Sequence, residues 1–315
     1  MTKRLSSKNV RYPGTEWRST GREPRVYEAR TSADLLGVHA ELIASSLLPG
    51  EELRYLLYSP IWDGTWAPFD ISAQPASHAL AVTKSRFLLS RDLHRDDTDP
   101  AVFSISFDRV LWAECGNAHL LGWFSLCHVM ADGPACISVL FRATGAEFFT
   151  SALRHYRQAL PRHASMVACG QSRAAWHDFW KCTGKPDARE VRPLILDDEA
   201  LLGWFRAGQS WQYRHELLGK RPQCSRPENL LLWTCRGAIH VTHEPDVHPK
   251  CPSHGLTVRT IPREAMRLAE VAAEGALRLS LGRDRTVLYV DVPFDREYHD
   301  QAESLASSVD GSSPS

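Results

Sequence analysis

Two stretches of the sequence, one in each half, carry the same pattern of strand, turn and strand, so the chain is expected to build one unit twice. In the first half, HALAVTKSRFLLS starts at His78 and places two apolar runs around Thr83-Lys84-Ser85-Arg86. In the second, NLLLWTCRGAIHVT starts at Asn229 and has the same form around Thr234-Cys235-Arg236-Gly237. Short apolar runs parted by polar or glycine turns are the hairpin signature.

The match continues downstream. VFSISFDRV, from Val102, alternates and ends in Phe107-Asp108-Arg109; LTVRTIPREA, from Leu256, alternates and ends in Ile261-Pro262-Arg263. Two further strand candidates follow in each half, LLGWFSLCHV and ACISVLF in the first, GALRLSL and TVLYVDVPF in the second. Each half then closes on a helical pattern. AEFFTSALRHYRQAL sets Phe148, Phe149, Leu153, Tyr156 and Leu160 on one face at the 3.6-residue period, and DREYHDQAESLASS is its weaker counterpart. The opening strands are expected at ELRYLLYS, from Glu52, and QSWQYRHELL, from Gln209. The expected organisation is a polar arm over 1–32, a first domain over 33–160, a linker with a helix over 161–196, a second domain over 197–305 and a disordered tail over 306–315.

Composition narrows the function classes. Thirty-seven basic residues balance 37 acidic ones, which removes the general electrostatic case for nucleic-acid binding. The N-terminus has no apolar core of a signal peptide, and no apolar run is long enough to span a bilayer. Eight cysteines are scattered with no C-x-x-C pair, as expected of reduced thiols in a cytoplasmic protein. The chain contains no G-x-G-x-x-G, Walker loop, G-x-S-x-G elbow or H-E-x-x-H.

The segments LLPGEELRYLLYSP, HALAVTKSRFLLSRD, VFSISFDRVLWAE and CISVLFRATGAEFFTSALRHY together resemble a bacterial pleckstrin-homology-like (GRAM-like) domain. The resemblance covers Ala33 to Leu160, and more loosely Asp197 to Leu305. It implies a mainly β (α+β) fold of two pleckstrin-homology-like sandwich or barrel domains, each of two orthogonally packed sheets closed by a C-terminal helix. It implies no activity, because such a scaffold does not fix function. The expectation is a non-enzymatic adaptor that binds a protein partner, with no cofactor.

Candidate sites follow from the residues. The loop after the first strand of the first half has no basic residue but carries Trp62, Trp66 and Phe69, a composition suited to a protein contact. The corresponding loop of the second half holds Lys220, Arg221 and Arg226, which could hold an anionic group and support peripheral membrane association. His128-Val-Met-Ala-Asp132-Gly133 resembles the H-x-x-x-D-G motif of the chloramphenicol-acetyltransferase and plant acyltransferase superfamily. There a histidine is general base and an aspartate holds the loop; the competing reading is a strand end running into a tight turn. Finally, His240, His243, His248, Cys251 and His254 offer spacings that could hold a structural zinc. A separation of three on one strand puts His240 and His243 on opposite faces, which weighs against that pair.

Overall fold

The computed structural model describes residues 25–61, 76–92, 100–118, 120–163, 169–182, 191–216, 219–243, 255–273, 275–283 and 286–310. The first half runs β1 (Tyr27–Glu28), α1 (His39–Ser46), β2 (Leu53–Ser59), β3 (Ser77–Thr83), β4 (Arg86–Asp92) and β5 (Ala101–Ser106). A 3-10 turn at Phe107–Arg109 leads into β6 (Val110–Ala118), β7 (Leu121–Met130), β8 (Gly133–Arg142) and α2 (Ala146–Ala159). Helix α3 (Cys169–Cys182) links the halves. The second half runs β9 (Leu201–Ala207), β10 (Ser210–Glu216), β11 (Gly219–Arg226), β12 (Asn229–Thr234), β13 (Gly237–His243) and β14 (Leu256–Pro262). A 3-10 turn at Arg263–Ala265 then leads into β15 (Met266–Ala272), β16 (Ala276–Arg283), β17 (Thr286–Pro293) and α4 (His299–Asp310).

Apart from β1 and the β10–β11 hairpin, the second half repeats the first: four strands, a 3-10 turn, three strands and a helix. The repetition extends to irregularities that no strand needs. The β2–β3 ladder slips at Arg54 and the β9–β12 ladder at Leu202; the β6–β7 ladder slips at Leu111 and the β15–β16 ladder at Arg267. Bulges re-aim a strand at one chosen place, and both repeats bend at the same two places. The hairpin turns agree as well. Thr83 Oγ1 accepts the Ser85 N–H and Thr234 Oγ1 the Arg236 N–H, and each 3-10 turn docks on its hairpin, Phe107 N–H on Ser85 O and Arg263 N–H on Arg236 O.

The fold is mainly β and antiparallel, and among the described residues no sheet closes into a barrel. One sheet orders β1-β2-β3-β4-β5 and another β15-β16-β17. The largest orders β8-β7-β6-β14-β13-β12-β9, so it takes three strands from the first repeat and four from the second. The halves are therefore joined by backbone pairing of β14 with β6, from Leu256 opposite Asn117 to Thr260 opposite Ala113, in addition to the linker.

Burial explains why β3 and β12 read as unbroken apolar runs: both of their faces are covered. Leu80 and Val82 face the main core, while Ala79 and Ala81 face Ile43 of α1. In the second repeat Leu230 and Leu232 pack in the main core with Phe179 of α3, while Leu231 and Trp233 face Leu277, Phe294 and Leu305. Each repeat thus has a preceding helix covering the outer face of its first sheet and a closing helix filling the inner one. The periodicity of α2 holds, with Phe149, Leu153 and Tyr156 fully buried and Phe141 stacked on Phe149 at a ring separation of 4.0 Å.

Four expectations are corrected. The opening strand of the second repeat is Leu201–Ala207, and Gln209 onward forms instead the β10–β11 hairpin. LLGWFRA lacks a strict apolar–polar alternation, and its burial is irregular around the bulge. The stretch holding Lys220 and Arg221 is accordingly strand, not loop. Arg263, not Ile261, is the counterpart of Phe107. The last helix continues to Asp310 because Ala302, Leu305 and Ala306 are buried in the second core, so residues 306–310 belong to the fold and not to a tail. Among the described residues no helix is long and apolar enough to cross a membrane.

Candidate functional site

Each repeat opens on a Leu-x-x-Glu turn set two residues before its first strand. Leu48 N–H donates to Glu51 Oε2 and Glu51 N–H to Leu48 O; Leu196 and Glu199 make the same two bonds. The carboxylates then diverge in use. Glu51 receives Arg86 of its own hairpin at 2.5 Å, and that guanidinium holds its acid down to about 2. Glu199 faces Thr234 Oγ1 at 2.5 Å and takes Arg157 from the closing helix of the first repeat, with both charged side chains fully buried. Arg157 Nε also donates to Leu194 O at 3.1 Å, and Trp176 Nε1 of the linking helix donates to Glu199 O at 2.9 Å. Arg236 adds bonds to Leu160 O and Asp198. A turn that is local in the first repeat is therefore the joint between repeats in the second.

The second joint is the β14–β6 seam. Arg259 of β14 lies opposite Glu114 of β6, donates to it at 2.8 and 2.9 Å, and sits over the Trp112 ring at 5.2 Å. The matched bulges place Met266 at the position of Val110, so Leu268 corresponds to Trp112 and Glu270 to Glu114. In the first repeat this edge is filled by β14. In the second, β15 pairs with β16, and among the described residues no strand pairs with its other edge. Leu268 is 40% exposed and Glu270 is exposed, while Ala269 between them is buried under α4. The result is an edge beside a helix, presenting one apolar and one acidic side chain.

The residues singled out by sequence fall elsewhere. Trp62, Trp66, Phe69, His248, Cys251 and His254 lie outside the described residues, as do the side chains of Lys220 and Arg221 on β11. Arg226 is committed internally, donating to Phe294 O and to Asp295 Oδ1 at 2.7 Å. The H-x-x-x-D-G run is a tight hairpin: Met130 faces Gly133 across Ala131-Asp132, and Gly133 adopts φ 125, open to glycine and strained for other residues. His128 is buried on β7, and burial holds its imidazole below the usual range. Its counterpart Leu281 is a core residue, so this position packs in both repeats. Sequence reading missed the Leu-x-x-Glu turns, although Leu48-Pro-Gly-Glu51 and Leu196-Asp-Asp-Glu199 sit just ahead of both opening strands.

His240 is buried on β13, with Nε2 3.0 Å from Asn229 Oδ1 and 3.1 Å from Thr242 Oγ1, so this imidazole serves the strand pair. Among the described residues no group of three metal-ligating side chains converges. Burial, with Arg259 adding repulsion, pushes His240 down to about 3. The unfolded chain binds this proton below about 6.5 and the folded chain does not, so the stability is full above that pH and is lost as pH falls toward 3. Between pH 6.5 and 5 this amounts to a loss of about 2 kcal/mol. Urea unfolding at the two pH values should show that decrement in the wild type and a smaller one in His240→Gln.

Compared with protein-family models, with curated proteins and with solved structures, the chain matches none of them.

Proposed function

We propose that the chain is a non-enzymatic interaction module of two pleckstrin-homology-like repeats, which takes an extended segment of a protein partner onto the β15 edge. The supporting observation is internal. The second repeat adds a strand to the first at β6, and among the described residues no strand pairs with the corresponding edge of the second repeat. Strand addition supplies affinity through main-chain hydrogen bonds and specificity through alternate side chains. An edge strand held beside a folded helix is a place where such pairing can occur.

The chemistry of the partner follows from the filled seam. Arg259 satisfies Glu114 and covers Trp112, so a segment with a basic residue that reaches Glu270 and an apolar neighbour against Leu268 is the matching occupant. The scattered, unpaired cysteines among the described residues suit a cytoplasmic setting.

The test is a photo-crosslinking side chain at Leu268, introduced in the protein expressed in its own host. A discrete polypeptide adduct is expected from Leu268 and not from Arg142 on the far sheet. Glu270→Arg should lower the yield of that adduct at least tenfold, because it sets a cation against the partner's cation. An absence of adduct at Leu268, or a yield unchanged by Glu270→Arg, would remove the proposal.

A further inference from the structure

Cys127 on β7 and Cys136 on β8 lie directly opposite one another. Two pairs nearer the turn, Pro134 faces Val129; proline has no N–H, so that pair does not exchange hydrogen bonds. Antiparallel ladders alternate, which makes Cys127–Cys136 a non-hydrogen-bonded pair as well. Such pairs bring Cα atoms to about 4.5 Å, inside the range a disulfide spans and near its short end.

The two thiols differ in access. Cys127 is buried between Leu111 and Ala265, whereas Cys136 is exposed on the edge strand. Their interaction makes the Cys136 thiol more acidic than an ordinary thiol and the Cys127 thiol less acidic. The Arg259 guanidinium favours the thiolate at both, while Glu114 opposes it. An exposed, more acidic thiol backed by a buried partner is the arrangement of an attacking and a resolving cysteine. Packing does not call for thiols here, since Ser280 and Tyr289 occupy the matching cross-strand positions of the second repeat.

We propose that Cys127 and Cys136 form a redox-active pair that exchanges with low-molecular-weight disulfides. The Cys136 thiolate attacks one sulfur of R–S–S–R, forming a mixed disulfide and releasing one thiolate, which takes up the proton Cys136 gave up. Cys127 then loses its proton, attacks the Cys136 sulfur and expels the second thiolate, which leaves as R–SH. The two protein thiols are oxidised to one disulfide, and one R–S–S–R is reduced to two R–SH. A bond across adjacent strands at the short end of the range is readily reduced, so the pair cycles and does not remain locked.

The experiment equilibrates the full chain with glutathione and glutathione disulfide at graded ratios, quenches with an alkylating agent and maps the peptides. The expected product has lost two hydrogens, with Cys127 joined to Cys136 and reversed by excess glutathione. In Cys127→Ser, a change the second repeat already carries at Ser280, a glutathione adduct should persist on Cys136. Cys136→Ser should leave Cys127 unmodified. Alkylation of both cysteines at every ratio would overturn the proposal. So would adducts confined to the exposed Cys182, or a Cys127→Ser chain without an adduct on Cys136.

Discussion

Arg157→Ala will destabilise the chain by roughly 3–5 kcal/mol, the range for removing one partner of a buried ion pair. The substitution leaves the Glu199 carboxylate enclosed, fully buried, with Thr234 Oγ1 and the Leu196 N–H as its remaining partners. It also strips Leu194 O of its guanidinium donor. Glu199→Ala should cost a similar amount, by orphaning Arg157 and opening the turn ahead of β9. The paired change Arg157→Met with Glu199→Leu should recover much of the loss, because buried ion pairs exchange for apolar groups at little net cost. Urea unfolding of the three variants measures this. Single-variant losses below about 1 kcal/mol, the size expected of an exposed pair, would mean that the joint does not depend on this contact.

Gly237→Ala is the second large effect. Gly237 sits at φ 132, and a Cβ there would stand 2.1 Å from Ile261 O and 2.8 Å from Arg263 N, both backbone atoms of the strand and turn that dock on the hairpin. The added carbon forces β13 and β14 apart where the 3-10 turn closes on Arg236 O. Backbone strain of this kind costs on the order of 1–3 kcal/mol, and the overlap adds to it, so about 3 kcal/mol or more is expected by urea unfolding. The first repeat places Arg86 at this position, whose guanidinium is used to bind Glu51. The demand for glycine therefore comes from the close approach in the second repeat and not from the hairpin type. A Gly237→Ala chain of wild-type stability would contradict that approach.

What the sequence discloses and what it hides divide along a physical line. Hairpin turns such as Thr83–Arg86 and Thr234–Gly237 are local, so their polar punctuation shows in the residue order. The helical stripe of Phe149, Leu153 and Tyr156 is likewise a matter of period. Pairing of β14 with β6 is not, because any exposed strand edge can in principle meet any other, and side-chain pattern does not name the partner. Arg157 illustrates the same gap: it lies one turn from Leu153 and Leu160 at the margin of the apolar stripe, and the sequence does not show that Glu199 is its buried partner. The Lys220–Arg221 stretch looked like a loop because Gly219 and Pro222 punctuate it, yet a lone hairpin tolerates Pro222 opposite Tyr213. His128 carries chemistry that the H-x-x-x-D-G spacing makes conspicuous, yet its matched position Leu281 is a core residue.

We propose that β14 completes the edge of the first repeat at β6 while the equivalent edge of the second repeat, β15, receives a partner. Backbone amide hydrogen exchange on the isolated chain tests it most directly. Edge protection should differ between matched positions. The amides of β6 and β14 are predicted to exchange slowly and together, while the edge-facing amides of β15 exchange at least tenfold faster. Equal protection at β6 and β15, or fast exchange along the β14–β6 seam, would contradict the claim.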